Sequence, residues 1–140
     1  MTIPATWVFD VDGCIVDSLT GGSLRPGARR LLAHLHQRDL LILVWSAGGA
    51  EYAQRRADQH DLADLVHSFH SKNSRDDQGR YRVDHFLREL DDVVFIDDQP
   101  NELPARARSI GVRPYLAANQ HDSGLRPVAS LLGLDLVTEP

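Results

Sequence analysis

Four short apolar runs, separated by more polar stretches, constrain the fold of this sequence more than any other feature. They are rich in β-branched or aromatic residues and span 7–11, 40–45, 93–96 and 112–116. Near-continuous apolarity over such a length is typical of strands that are buried on both faces, as in a parallel sheet. We therefore predict an α/β fold with a parallel sheet and helices on both of its faces.

The stretches between the runs are amphipathic and are predicted to form the helices. Pro26 occupies a first helical position, and apolar residues then recur at helical spacing until the turn near 37–39. Further helices are predicted over 50–60, 84–90, 102–110 and 125–132, with Gly111 as a C-cap after 102–110. A shorter fifth strand is predicted near 65–69, and the polar loop 71–82 is predicted to form a surface turn or hairpin. Together these elements give a three-layer, Rossmann-like arrangement.

Length and composition favour one domain over residues 1–140, because a chain of this size buries a real core but is too short for two ordinary domains. No apolar run approaches the about 20 residues of a membrane-spanning helix. The N-terminus lacks the charge and the apolar stretch of a secretory signal. Cys14 is the only cysteine, so no internal disulfide can form. We expect a cytoplasmic protein with no membrane partner.

The charged residues narrow the function further. The net charge of -5 argues against a protein whose main task is to grip nucleic-acid backbone, although a local basic patch stays open. Lys72 is the only lysine in the sequence. Any role that needs an ammonium rather than a guanidinium therefore falls on this residue.

Polar residues close three of the predicted strands. Asp10 and Asp12 end the first run, Ser46 follows the second, and Asp97 and Asp98 follow the third. Because ligands of open parallel sheets bind beyond the carboxyl ends of the strands, we expect these residues to meet in one crevice. Alternation along an extended chain would place Asp10 and Asp12 on the same side, with both carboxylates facing one point.

Four acids in one crevice repel one another at neutral pH unless a cation compensates, and Mg²⁺ prefers hard oxygen ligands. Each aspartate could instead cap a helix or a turn, which is a common role of this residue. For paired acids at the ends of two separate strands we favour the metal site, and we expect Mg²⁺ as the cofactor.

These residues resemble the motifs of the haloacid dehalogenase (HAD) superfamily of aspartate-nucleophile phosphatases. Segment 8–18, VFDVDGCIVDS, resembles the first motif, and 44–46, VWS, resembles the second. Lys72 stands where the lysine of the third motif would, and 95–98, FIDD, resembles the acidic fourth motif. Four motifs in this order, within 7–116, make the resemblance specific.

The resemblance implies an enzyme, a Mg²⁺-dependent phosphohydrolase that acts on phosphomonoesters. Asp10 would be the nucleophile that forms an aspartyl-phosphate intermediate, and Asp12 would act as general acid and then as general base. Mg²⁺ would be bound by the Asp10 carboxylate, the Asp12 backbone carbonyl and Asp98, with Asp97 as a second ligand or supporting group. The division between Asp97 and Asp98 stays open.

The resemblance also implies substrate contacts. Ser46 would donate a hydrogen bond to a phosphate oxygen, while Ala47 and Gly48 would offer backbone N–H groups before a helix start. Lys72 would neutralise charge on the transferred phosphoryl group. Arg25, beside a glycine-rich segment, is a further candidate for substrate contact. Taken singly, Ser46 could merely end a strand and Lys72 could be a solvated surface residue.

Neither gap between the motifs has room for the cap domain that many members of the superfamily carry, so the chain resembles the capless branch. Such an open site accepts large or macromolecular phosphoesters, or closes by association with another subunit. We expect a phosphorylated substrate, small or macromolecular. The sequence identifies neither that substrate nor the oligomeric state.

Two other functions are compatible with parts of this pattern. A phospho-accepting regulatory domain of the response-regulator type also binds magnesium, but it places its acidic pair before the accepting aspartate, the reverse of the order here. A catalytically silent domain could keep the fold and bind without turnover. Cys14 is interpreted as a small buried residue rather than as a nucleophile.

Overall fold

The computed structural model describes residues 2–136, in which eight helices and strands build a layered α/β fold. The elements are β1 (Thr6–Asp10), α1 (Ala28–Gln37), β2 (Leu41–Ser46), α2 (Ala50–Gln59), β3 (Ser68–Ser71), β4 (Val93–Asp97), β5 (Arg108–Gly111) and α3 (Arg126–Ser130). Short 3-10 helices lie at Ala63–Leu65 and Pro100–Glu102. The predicted α/β class is confirmed.

The five strands form one parallel sheet in the order β3-β2-β1-β4-β5. Asp10 of β1 lies opposite Trp45 of β2, and Phe9 lies opposite Ile96 of β4. Consequently β1 and β4 end side by side, which places Asp10 next to Asp97. The strand order reverses at β1, and a crevice at such a reversal is the usual ligand site of an open α/β sheet.

All three α-helices pack on the same face of the sheet. Trp7 and Phe9 of β1 point towards this face, because alternate residues of a strand lie on opposite sides. The core on this side is completed by the apolar stripes of the helices, which are Leu31, Leu32 and Leu35 of α1, Ala53 and Ala57 of α2, and Val128 and Ala129 of α3. Helical spacing of these residues explains why the helices form here.

The opposite face is covered mainly by irregular chain, so the prediction of helices on both faces is wrong for residues 2–136, whose α-helices all lie on one face. Val8, Trp45 and Phe95 are buried there against residues 72–92, which we call the covering segment, and against Leu103 near the second 3-10 helix. Asp10, Trp45 and Asp97 share this face by strand alternation. The covering segment therefore begins on the same side of the sheet as the acids.

The helix predicted over 84–90 is wrong. The N–H groups of Phe86 and Leu87 both donate to the carbonyl of Val83, at 3.1 and 2.9 Å, but the pattern stops after this turn. Val83, Phe86, Leu87 and Leu90 have helical spacing because this turn packs its apolar side chains on the sheet. A single turn is too short to form a stable helix by itself, because helix nucleation is unfavourable.

The chain after β4 also differs from the prediction. The helix predicted over 102–110 is wrong, since a 3-10 helix at Pro100–Glu102 and a turn in which the Ala107 N–H donates to the Pro104 carbonyl lie there before β5. Gly111 ends β5 instead of capping a helix, and the predicted strand 112–116 lies beyond the sheet. Three of the four residues of β5 are exposed, and an exposed edge strand needs no apolar run.

The remaining differences are small. β3 begins three residues later than the strand predicted near 65–69. The loop 71–82 was predicted to form a turn or hairpin, and an antiparallel bridge pairs Arg75 with Tyr81 there. Within residues 2–136, β1 and α1 are joined by a loop without an inserted cap. No helix in this described part has the length and apolar character that crossing a membrane requires.

Candidate active site

Three carboxylates meet where β1 and β4 end. Asp10 is the last residue of β1, Asp97 is the last residue of β4, and Asp98 follows directly. One oxygen of each lies within 4.8 Å of the others. Asp10 and Asp97 are buried, whereas Asp98 is partly exposed to the crevice. Three hard oxygen donors at this spacing can hold a divalent cation.

Lys72 joins this cluster from the edge of the sheet, directly after β3. Its Nζ donates hydrogen bonds to Oδ1 of Asp10 at 2.9 Å and to Oδ2 of Asp97 at 3.0 Å. The ammonium also lies 4.9 Å from the ring centroid of Trp45 and 5.3 Å from that of Tyr81. Ion pairs and aromatic faces together fix the ammonium between the two acids.

The charges of the cluster do not balance. Burial raises the pKa of Asp10 well above its ordinary value, and the ammonium of Lys72 offsets this only in part. Burial also raises the pKa of Asp98. Burial alone would lower the pKa of Lys72, but Asp10 and Asp97 outweigh it and raise that pKa. Lys72 stays charged at neutral pH, and one ammonium faces three carboxylates.

The carboxylate of Asp12 is not part of the three-acid cluster. Its Oδ1 accepts a hydrogen bond of 2.6 Å from the hydroxyl of Tyr52 in the first turn of α2. β1 ends at Asp10, so the alternation of an extended strand does not by itself fix the side chain of Asp12, and its carboxylate is placed by the bond to Tyr52 instead. Burial and the bond to Asp12 raise the pKa of Tyr52, which is a neutral donor at pH 7.

Ser46 ends β2 and is buried beside the crevice. Its Oγ accepts a hydrogen bond of 3.0 Å from the N–H of Gly48, while the N–H of Gly49 donates to the Ser46 carbonyl. The expected open N–H group of Gly48 is therefore already used within the turn. The N–H of Ala47 donates no hydrogen bond to any of residues 2–136, so it stays available to a ligand.

Arg25 does not line the crevice, and the prediction of substrate contact is corrected here. Its side chain is fully buried and pairs with Asp122 at 2.6 Å. The guanidinium also donates to the carbonyls of Arg113 at 2.6 Å and Cys14 at 3.3 Å, with a longer contact to that of Gly13. These bonds tie the loop after β1 to the chain after β5 and leave the guanidinium no exposed face.

Asp17 organises the same loop. Its buried carboxylate accepts hydrogen bonds from the N–H of Thr20 at 2.7 Å, the hydroxyl of Thr20 at 2.8 Å and the N–H of Ser23 at 2.8 Å. Burial would raise the pKa of Asp17, but these bonds outweigh it and lower that pKa. Cys14 lies nearby, is fully buried and has a pKa raised by burial, as a packing residue would.

Sequence reasoning missed Tyr52, Arg56 and Tyr81. Tyr52 bonds Asp12, Arg56 bonds Tyr52, and Tyr81 flanks the Lys72 ammonium. For Tyr52 a signal existed: it lies in the first turn of the helix that follows Ser46, close to where the strands end. Tyr81 gave none, because the covering segment has no regular pattern that predicts its path.

Comparison with known proteins agrees with this geometry. A family model described as NLI interacting factor-like phosphatase matches residues 6–139. The core domain of a Streptococcus pneumoniae TIGR4 protein provisionally named a phosphoglycolate phosphatase is similar in structure, with TM-score 0.56, 14% identity, and 96% of this chain and 98% of that chain covered. An uncharacterized Listeria monocytogenes serotype 4b protein gives TM-score 0.60 at 13% identity, covering 89% and 88%. At such low sequence identities, the structural similarity establishes a shared fold and no more. No functionally curated protein matches the sequence.

Proposed function

This chain belongs to the NLI interacting factor-like phosphatases, within the HAD superfamily, and from that premise we propose a Mg²⁺-dependent phosphomonoesterase with Asp10 as its nucleophile. The observation that carries the proposal is the position of Lys72. Its ammonium bridges the buried carboxylates of Asp10 and Asp97 within the three-acid cluster. A lone lysine held there has the charge and the place needed to neutralise a transferred phosphoryl group.

In the first step, a carboxylate oxygen of Asp10 attacks phosphorus. Lys72 holds Oδ1 of Asp10, which leaves Oδ2 to form the new P–O bond. The bond between phosphorus and the leaving oxygen breaks as Asp12 gives that oxygen a proton. In the second step, Asp12 takes a proton from water, the water oxygen attacks phosphorus, and the bond to Asp10 breaks to release inorganic phosphate.

The donor set fits a hard cation such as Mg²⁺. Oδ2 of Asp97 accepts from Lys72 and Oδ1 of Asp97 accepts from the N–H of Gln99, so this fully buried carboxylate is held by bonds within the protein, whereas Asp98 is partly exposed to the crevice. We infer that Asp10 and Asp98 are the carboxylate ligands, with the Asp12 carbonyl, and that Asp97 supports them. Bound Mg²⁺ would supply the positive charge that one ammonium does not, on the acids and on the phosphoryl group.

The loops around the crevice support a proposal about substrate size. No cap is inserted between β1 and α1 or between α2 and β3 within residues 2–136. We infer that the site is open enough for large or macromolecular phosphoesters.

The test is hydrolysis of p-nitrophenyl phosphate by the parent and by Asp10→Asn, with Mg²⁺ and after chelation. We expect Mg²⁺-dependent turnover that Asp10→Asn lowers by several orders of magnitude, and acid-quenched parent protein should carry phosphate on Asp10. Asp58→Asn, an exposed residue of α2, is the matched control. Full turnover by Asp10→Asn refutes the mechanism. No turnover by the parent on a panel of phosphometabolites and phosphopeptides would identify a silent phosphate-binding domain instead.

A further inference from the structure

The hydroxyl of Tyr52 lies between the carboxylate of Asp12 and the guanidinium of Arg56. It donates to Oδ1 of Asp12 at 2.6 Å and accepts from Nε of Arg56 at 3.1 Å. We infer that Tyr52 is a positioning residue, which fixes the carboxyl of Asp12 for proton transfer to the leaving group. The inference rests on the proposed function, in which Asp12 is the general acid.

The direction of these bonds follows from their chemistry. Nε of Arg56 can only donate, so the oxygen of Tyr52 must accept there. The single hydroxyl hydrogen of Tyr52 is then left for Asp12. Arg56 is itself held, since its Nη1 donates to Gln59 at 2.8 Å and its Nη2 donates to the Thr20 carbonyl at 3.2 Å. The hydroxyl is therefore oriented before any substrate binds.

The ring of Tyr52 is held as firmly as its hydroxyl. A Cβ added to Gly48 would lie 2.8 Å from the ring, so the ring rests directly on the turn that follows Ser46. The guanidinium carbon of Arg56 lies over the same ring, 5.1 Å from its centroid. A ring that contacts both the turn at Gly48 and the Arg56 guanidinium has little freedom to rotate, which suits a residue that positions a neighbouring carboxyl.

The geometry assigns different tasks to the two oxygens of Asp12. Oδ1 is taken by Tyr52, whereas Oδ2 has no hydrogen-bond partner among residues 2–136. With Oδ1 anchored, the proton carried by Oδ2 passes to the leaving oxygen as its bond to phosphorus breaks. Without the anchor the carboxyl would rotate, and fewer of its orientations would suit the transfer.

A merely structural role for Tyr52 predicts a different result. If it only packs α2 against the turn after Ser46, its loss should slow all substrates alike. If it orients the general acid, its loss should slow substrates according to how much protonation their leaving groups need. A p-nitrophenolate group departs readily without a proton, whereas an alkoxide departs poorly.

The experiment measures kcat/KM, which reports the step up to formation of the phospho-enzyme, for p-nitrophenyl phosphate and for glycerol 2-phosphate. With Tyr52→Phe we expect kcat/KM to fall roughly 10- to 100-fold for the alkyl ester and by less than about threefold for the aryl ester. Arg56→Met should give a smaller loss of the same pattern, and it serves as the second variant if Tyr52→Phe is poorly folded.

Two comparisons decide between the roles. Adding Tyr52→Phe to Asp12→Asn should change the alkyl-to-aryl ratio no further, because both changes act on one proton transfer. Tyr115→Phe is the matched control, since its hydroxyl bonds Ser23 and not Asp12, and its ratio should equal that of the parent. Equal losses on both esters, or additive losses in the double variant, overturn the positioning role while Asp10→Asn stays inactive. An inactive parent overturns the proposed function as well.

Discussion

Replacement of Arg25 by methionine should strongly lower the free energy of unfolding of this protein. We expect no direct effect on substrate binding. The change keeps most of the apolar length of the side chain and removes the buried guanidinium. It leaves Asp122 without its ion-pair partner, at 2.6 Å in the parent, and the carbonyls of Arg113 and Cys14 without their donors. Removing one partner of a buried ion pair costs about 3–5 kcal/mol of the free energy of unfolding.

For a chain of 140 residues, an unfolding entropy of about 2.1 cal/mol/K per residue converts this loss into a fall in Tm of roughly 10–17 °C. Urea titration measures the loss in free energy of unfolding, and a thermal melt measures the fall in Tm. Both can be followed by tryptophan fluorescence, because Trp7 and Trp45 are almost fully buried and report loss of the core. Arg55→Met is the matched control, since Arg55 is exposed on α2, and should change stability by no more than about 0.5 kcal/mol.

A second variant isolates the cause. In the Arg25→Met background, Asp122→Asn should cost less than it does in the parent, because it removes a charge that has already lost its partner. A loss below about 1 kcal/mol for Arg25→Met would refute the reasoning. If stability were unchanged and KM rose instead, the substrate contact first expected from the sequence would be restored.

Three further predictions concern the contacts of Gly124, Lys72 and Asp17. Gly124→Ala should destabilise the fold by at least about 1–3 kcal/mol in thermal unfolding, because a Cβ there would collide with the Arg25 guanidinium; an unchanged Tm would show that the arginine can move aside. Lys72→Met should abolish most phosphatase activity and make the rise of Tm on adding Mg²⁺ larger than in the parent, since Asp10 loses its ammonium partner; an equal rise would contradict the charge argument. Asp17→Asn should lower the free energy of unfolding by about 1–3 kcal/mol above pH 5. Because the folded pKa of Asp17 is lowered, this difference should shrink as pH falls below about 4, whereas a difference that grew on acidification would refute the assignment.

The central strands of the sheet were predictable from the sequence, whereas the edge strand β5 and the covering segment were not. β1, β2 and β4 are buried on both faces, so nothing polar interrupts their sequences. β5 lies at the edge with most of its residues exposed, and such a strand leaves no apolar signature. The turn around Phe86 shows the reverse error, because helical spacing of apolar residues there reflects packing on the sheet rather than a helix.

Some residues of the site were predictable in the same way, and others depend on contacts between distant parts of the chain. The positions of Asp10, Asp97 and Asp98 follow from strand ends alone, and the structure brings Lys72 to them. The partners of Arg25 lie up to 97 residues away in sequence, where local pattern gives no information. The bond between Tyr52 and Asp12 spans 40 residues, and it required the relative position of α2 and the loop after β1.

Lys72 is the first residue of the covering segment, which contains neither a long helix nor a strand and makes few backbone hydrogen bonds. Amides in such a stretch exchange with solvent through local openings that cost less than global unfolding. An opening that reaches Lys72 and breaks the bond between its N–H and the Ser46 carbonyl would carry the ammonium away from Asp10 and Asp97 while the three helices stay packed on the other face of the sheet. Warming should thus inactivate the enzyme reversibly several degrees before the core melts, so that the upper working temperature is set by one irregular stretch of chain.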